Sequence, residues 1–114
     1  MILCSDAHEA RAIGVDWLRR YLALPNYAAN LMRLGFEPEE LERVSDRLFD
    51  ALIAWGDEEA IGKRVDEHRT AGADHVCLQV LTARSDTFPR EQWRRLASAL
   101  CWPRRTPTAP RAPL

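Results

Sequence analysis

The chain has 114 residues, of which 16 are basic and 17 acidic, and 46% of its residues are hydrophobic. This is the composition of one soluble domain, and its near-zero net charge gives no general electrostatic reason to expect a nucleic-acid or anionic-membrane partner. The first residues lack the basic region and the long apolar run of a signal peptide, and no apolar stretch is long enough to span a bilayer, so we expect a cytoplasmic protein.

The cysteines and histidines form no pattern typical of a metal site or a disulfide framework. Cys4, Cys77 and Cys101 are an odd number, lie far apart and form no Cys-x-x-Cys pair. His8 and His68 each adjoin a glutamate, but neither belongs to a His-Glu-x-x-His motif that could hold zinc from one helical face. We therefore expect no bound metal and a reducing compartment.

Helices are predicted wherever apolar residues recur at helical spacing with charged residues between them. In chain order these segments are 6–23, 26–34, 38–44, 46–55, 58–71 and 89–100. Ser45 and Asp57 are predicted N-caps, because their side chains can accept a hydrogen bond from the first helical turn. Gly35, Gly56 and Gly72 are predicted to end the helices that precede them.

One convincing strand is predicted, over residues 74–81, because this short run is nearly continuous in apolar residues and rich in valine. Such a strand is typical of a parallel sheet covered on both faces. Residues 2–4 are a candidate for the end of another strand. A sheet of one or two strands leaves backbone groups without partners, so the chain is predicted to be the carboxy-terminal piece of a larger parallel α/β enzyme.

The domain is predicted to cover residues 1–102. Residues 103–114 contain four prolines and three arginines, and they are predicted to form a flexible tail without regular hydrogen bonding. Within the domain, residues 57–81 run as helix, glycine and strand, which is one repeat of either a β/α barrel or a doubly wound sheet.

Four stretches, taken in order, resemble the carboxy-terminal part of luciferase-like, coenzyme F420-dependent oxidoreductases. They are Tyr-Leu-Ala-Leu-Pro-Asn-Tyr at 21–27, Leu-Met-Arg-Leu-Gly-Phe at 31–36, Leu-Ile-Ala-Trp-Gly-Asp at 52–57, and Ala-Gly-Ala-Asp-His-Val-Cys-Leu-Gln-Val-Leu at 71–81. The likeness runs from about residue 7 to residue 100. The family fold is a (β/α)8 TIM barrel, which typically needs roughly 250 residues.

The resemblance therefore implies a partial barrel that contains the region after the seventh strand, the eighth strand and the final helix. The earlier strands, which in the family supply most of the deazaflavin or flavin pocket, have no counterpart here. The Pro/Arg tail is a second departure, since family members are expected to finish soon after the last helix.

Alternation along the predicted strand places His75, Cys77 and Gln79 on one face. The other face is purely aliphatic and suits packing against outer helices. Gln79 is near the carboxyl end of the strand, where barrels bind ligands, so it is a candidate hydrogen-bonding group for a ligand or, alternatively, a satisfied core amide. His75, at the opposite end, is interpreted as structural, and Cys77 as a small buried hydrophobe.

Asn26 and Tyr27 fall in the long connection that the resemblance places near the active site. They are candidates for contact with substrate. The alternative interpretation makes Asn26 a helix N-cap and Tyr27 a packing residue.

Two functions follow as hypotheses. In the first, the chain is part of an oxidoreductase or monooxygenase that uses F420, or alternatively flavin mononucleotide (FMN), and is inactive alone because most of the active site is missing. The cofactor would perform the chemistry. In the second, it is a non-catalytic helical interaction protein whose apolar surfaces are covered by an amino-terminal barrel fragment or by a second copy of itself.

Overall fold

The computed structural model describes residues 1–84 and 86–100. Within them, six helices are formed: α1 (Ala7–Leu22), α2 (Pro25–Arg33), α3 (Pro38–Arg43), α4 (Asp46–Leu52), α5 (Glu58–Thr70) and α6 (Arg90–Ala99). Two short strands, β1 (Ile2–Leu3) and β2 (Trp55–Gly56), pair in parallel. The chain is thus a mostly helical α/β domain, as predicted. The predicted tail, 103–114, lies outside the described residues.

Four of the five predicted caps lie at helix ends, whereas Gly56, predicted to end the helix over 46–55, lies in β2. The Ser45 hydroxyl accepts a hydrogen bond from the backbone N–H of Leu48 at 3.1 Å, and Asp57 caps α5 in the same way. Gly35 and Gly72 follow α2 and α5 with φ of 92° and 104°, a conformation that glycine adopts without steric cost. These local signals set four helix ends, in α2, α4 and α5, to within one residue of the prediction.

The predicted helix over 46–55 is too long, because α4 ends at Leu52 and β2 follows. Ile53 is extended, with φ −116° and ψ 116°, and is buried. The backbone N–H of Ile2 donates to the carbonyl of Ala54 at 2.8 Å, so this part of the chain is held by β1. Trp55 therefore lies in a strand that was not predicted, whereas the predicted strand at residues 2–4 is confirmed as β1.

The strand predicted over residues 74–81 is wrong as a regular, buried strand. Residues 75–82 have no assigned secondary structure, and none of them is fully buried. Only their end has a neighbour: the Met1 amino group donates to the Gln79 carbonyl at 2.6 Å, and the Leu81 N–H donates to the Met1 carbonyl at 2.8 Å. A strand needs pairing along its length, and here that pairing extends over three residues.

These two hydrogen bonds have the pattern of a parallel bridge between Met1 and Val80. Residues 79–81 thus lie on the side of β1 that faces away from β2, and β1 is central. In a (β/α)8 barrel, successive strands are neighbours, so residues 79–81 would instead lie beside β2. The described residues thus form one sheet of two strands, with residues 79–81 hydrogen-bonded to the other side of Met1, and no barrel.

The main core lies where β1 packs against α1 and α4. It contains the buried residues Ile2, Ala10, Leu18, Leu31, Leu41, Val44, Leu48, Phe49 and Ile53. A smaller group of buried side chains, Ile61, Val65 and Leu96, belongs to α5 and α6. No helix in the described part of the chain is long and apolar enough to cross a membrane.

Candidate functional site

A groove opens where β1 and residues 79–81 end side by side. After β1, the chain runs through α1 to β2, which lies at one edge of β1. Residues 79–81 lie at the other edge of β1. In open parallel sheets, ligands bind beyond the carboxyl ends of the strands at such a reversal of order. Two adjoining cavities of about 490 and 430 Å³ make up this sheet-end groove. The residues that line both cavities are Ile13, Leu81, Thr82, Ala83, Arg84, Thr87 and Pro89.

The larger cavity lies between α1 and the residues after 79. The helix contributes Trp17 and Arg20, and the segment opposite contributes Gln79, Thr82 and Arg84. A half-buried indole beside hydroxyl, amide and guanidinium groups can bind a ligand that has both an aromatic surface and polar or anionic substituents. The groove is open, so its polar groups remain in contact with water.

The smaller cavity is more apolar, and a thiol lies at its edge. Cys4 follows β1 directly, and its Sγ lies 3.4 Å from Oε2 of Glu9 in the first turn of α1. Phe88, which is 68% exposed, also lines this cavity. Across residues 1–84 and 86–100, no group of three or more His, Cys, Asp or Glu side chains could hold a metal ion.

Gln79 is the predicted site residue that lines the groove. Its backbone carbonyl accepts the hydrogen bond from Met1, and its side chain is exposed. The prediction placed Gln79 at the ligand-binding end of a strand; the strand is not formed, and a role in binding a ligand stays a prediction.

Asn26 and Tyr27 do not line the groove. Both are exposed in the first turn of α2. The N-cap is Leu24, with Pro25 as the first helical residue, so the interpretation of Asn26 as an N-cap is wrong. The Tyr27 ring packs edge-on against Tyr21 with centroids 5.4 Å apart, which agrees with its interpretation as a packing residue.

The remaining predicted face residues, His75 and Cys77, are exposed. Cys77 is therefore not the buried hydrophobe that was expected, because no neighbouring strand covers it. The sequence reasoning missed Trp17 and Arg20, which look like ordinary members of an amphipathic helix. Thr82 had a usable signal, since polar residues directly after a strand are where α/β sheets bind ligands.

The clearest pKa shift lies away from the groove, at Glu40 in α3. The guanidinium of Arg47 donates to both carboxylate oxygens, at 2.9 and 2.5 Å. Together with the backbone N–H of Glu37 and the Ser45 hydroxyl, this lowers the pKa of Glu40 to about 2. The shift marks a structural link between α3 and α4 and not a catalytic acid.

Comparisons with protein-family models, with curated proteins and with solved structures give no match for this chain.

Proposed function

We propose that the chain is the carboxy-terminal part of a luciferase-like α/β oxidoreductase that uses F420 or, alternatively, FMN, and that it is inactive as an isolated polypeptide. The observation that carries the proposal is the unequal burial of residues 75–80. The aliphatic Val76, Leu78 and Val80 are half-buried, whereas His75, Cys77 and Gln79 are exposed. This alternation supports the proposal, because a barrel strand packs its outer, aliphatic face against helices and directs its other face toward the barrel centre.

The helices α5 and α6 supply the outer cover. Val76 and Leu78 line a cavity together with Val65 of α5 and Leu100, which follows α6. The helix that precedes the segment and the helix that follows it therefore both lie over its aliphatic face. That layering is expected for one β/α repeat, with the polar face directed toward the centre of a sheet or barrel.

A barrel requires residues 79–81 to leave Met1 and pair beside β2. The change would break the two hydrogen bonds at Met1, each contributing about 1 kcal/mol. Pairing along the whole of residues 74–81 would replace them with a larger number of hydrogen bonds. We expect this pairing to offset the loss of the two bonds at Met1 once the missing strands are supplied.

The groove does not enclose a cofactor by itself, since the face that carries Gln79 is open to solvent. A deazaflavin or flavin would supply the hydride or oxygen chemistry in the complete enzyme. In that enzyme, Gln79 would donate a hydrogen bond to the ligand from the carboxyl end of its strand. The isolated chain would supply one wall of the cofactor pocket.

The test is a fluorescence titration of F420 with the 114-residue chain, alone and mixed with an amino-terminal half of a luciferase-like F420-dependent enzyme. We expect no saturable binding by the chain alone and saturable binding by the mixture. Gln79→Leu should weaken binding by the mixture about 2- to 13-fold, because it removes one hydrogen bond. Asn30→Ala, an exposed change in α2, is the matched control and should have no effect.

Tight binding of F420 by the chain alone would overturn the claim that it is inactive in isolation. Failure of the mixture to associate, together with absence of F420 and FMN binding, would overturn the family proposal. A Gln79 variant that binds as well as the unsubstituted chain would remove the role given to that side chain.

A second function, that of a non-catalytic interaction protein, is favoured by the exposed apolar side chains of α2 and its flanks. Leu24, Tyr27, Met32 and Leu34 are all more than two-fifths exposed. Apolar surface concentrated on one element is typical of a protein-binding site. Light scattering with and without the amino-terminal half distinguishes the two functions: association without cofactor binding supports the interaction protein.

A further inference from the structure

One stripe of α1 borders the larger cavity and carries both an aromatic ring and charged groups. Ile13, Asp16, Trp17 and Arg20 recur at the spacing of one helical face, and all four line the cavity. None of the four is among the fully buried residues of α1, so the stripe is accessible from the cavity.

The indole of Trp17 is held in place by other aromatic rings. Its centroid lies 4.3 Å from that of Tyr21, and Tyr21 contacts Tyr27 edge-on with centroids 5.4 Å apart. Trp17 and Tyr21 are both half-buried. A run of three rings therefore ends at the cavity. An aromatic ring bound in the cavity would extend this run, and such contacts favour aromatic over aliphatic ligands.

The charged groups that line the cavity favour a ligand with one negative charge. They are Arg20, Arg84 and Asp16, two cations and one anion, which give a net charge of +1. Arg84 has an ion pair with Asp86 at an N–O distance of 3.6 Å, so its charge is partly offset. Within the described residues, the guanidinium of Arg20 has no hydrogen bond or ion pair. Its donors are free for a carboxylate, which a guanidinium binds through two parallel hydrogen bonds.

We propose that the larger cavity binds a small aromatic carboxylate, with the ring against Trp17 and the carboxylate on Arg20. The cavity volume of about 490 Å³ lies within the range of roughly 300–1,000 Å³ that is typical of small-molecule sites. Arg20 follows Trp17 by three residues, so their Cβ atoms are about 5–6 Å apart, which suits a ring and a carboxylate attached to it.

This binding would need neither a cofactor nor a second chain, so it goes beyond the proposed function. The groove is open and leaves the carboxylate in contact with water, so we expect a dissociation constant on the order of 1 mM for a two-ring ligand. Such weak binding would not produce a saturable signal at the micromolar concentrations of the F420 titration.

The first experiment titrates the isotope-labelled chain with 2-naphthoate and follows the amide and indole N–H signals by NMR. The shifts should saturate and should be largest at Trp17, Arg20 and Thr82, which line the cavity. Two matched compounds separate the ring from the charge: 2-naphthamide has the same ring without the charge, and decahydro-2-naphthoate has the charge without aromaticity. Each should bind at least about 2-fold more weakly.

The second experiment changes the charges of α1 one at a time. Arg20→Gln should weaken the binding of 2-naphthoate about 2- to 5-fold, because it removes the cation. Asp16→Asn should strengthen it by about the same factor, because it removes a like charge. Arg19→Gln, the matched control, removes an arginine that does not line the cavity and should have no effect. All three positions are exposed, so the fold should be retained.

The third variant, Trp17→Leu, keeps an apolar side chain and removes the ring. It should weaken the binding of 2-naphthoate about 2- to 13-fold, and the preference over the saturated analogue should disappear. Circular dichroism checks its fold, since Trp17 is half-buried. The comparison of Arg20 with Arg19 uses exposed positions and tests the proposal whether or not this variant folds.

Absence of saturable shifts, or shifts confined to α2, would overturn the proposal. Equal effects of Arg20→Gln and Arg19→Gln would also overturn it, because they would show a general charge effect. So would binding of 2-naphthamide as tight as that of 2-naphthoate. The proposed oxidoreductase function fails on other observations, namely association with the amino-terminal half and F420 binding by the mixture, so the two proposals can fail separately.

Discussion

The part of the molecule from β1 through β2 and the part that follows β2 differ in how many apolar residues they bury. In the first part, nine buried residues form one cluster that includes Ile2, Leu48 and Phe49. In the second part, three buried residues belong to α5 and α6, and none of residues 71–84 is buried. The two parts thus differ in the size of the core that each forms, with nine buried residues in the first and three in the second.

The largest expected effect is that of Leu48→Ala compared with Leu96→Ala. Leu48 is fully buried in the main core, so its truncation should lower the free energy of unfolding by about 2–5 kcal/mol. Leu96 is as buried, at 1% exposure, but it belongs to the smaller group of three buried residues in α5 and α6. We expect a smaller global loss, measured by urea unfolding, and faster amide exchange confined to α5 and α6.

Equal losses in the two variants, with exchange accelerated throughout the chain, would show that the two parts unfold as one unit. That outcome would contradict the difference in stability expected between the two parts.

A second comparison uses two helical glycines. An added Cβ at Gly14 in α1 would lie 2.5 Å from Cε2 of Phe49, whereas one at Gly62 in α5 would lie 3.5 Å from Leu100. Gly14→Ala should therefore cost about 1–3 kcal/mol through overpacking, despite its better helix propensity. Gly62→Ala should instead stabilise by up to about 1 kcal/mol.

Thermal unfolding of the two alanine variants measures both effects under the same conditions. Stabilisation by Gly14→Ala would mean that the Phe49 ring moves aside easily and that the main core is looser than its burial indicates.

The sequence predicted features that depend on nearby residues better than features that depend on distant ones. The caps at Ser45 and Asp57 were predictable because a side chain bonds the backbone a few residues away. The strand at Trp55 was not, since its apolar spacing also fits a helix and its pairing partner, Ile2, is distant in the sequence. Long-range pairing overrode a local pattern.

The residues that line the groove also differ in how well the sequence predicted them. Gln79 was predictable from alternation along one segment. Trp17 and Arg20 were not, because their position depends on which face of α1 lies beside residues 79–84. The exposure of Cys77 was missed for a related reason: an apolar run predicts burial, but the neighbouring strand that would bury it is not formed by the described residues.

The smallest expected effect concerns two ion pairs, one in each part. Glu40 accepts hydrogen bonds from Arg47, Glu37 and Ser45, whereas the contact of Glu58 is with Arg95, at 2.6 Å. Arg47 is the main cause of the lowered pKa of Glu40, and Arg95 also lowers the pKa of Glu58. The unfolded carboxylate of Glu40 titrates near 4.5 and the folded one near 2.

A lowered folded-state pKa means that the unfolded state binds the proton more readily, so ionised Glu40 stabilises the fold above about pH 4.5 and this contribution is lost as the pH falls toward 2. The difference in unfolding free energy between the unsubstituted chain and Glu40→Gln should shrink over that range. Glu58→Gln, the matched change in the second part, should show a weaker dependence, because Glu58 has fewer hydrogen-bond donors. Urea unfolding at several pH values measures both, and a Glu58 dependence as large as that of Glu40 would mean that α5 and α6 are held together as firmly as α3 and α4.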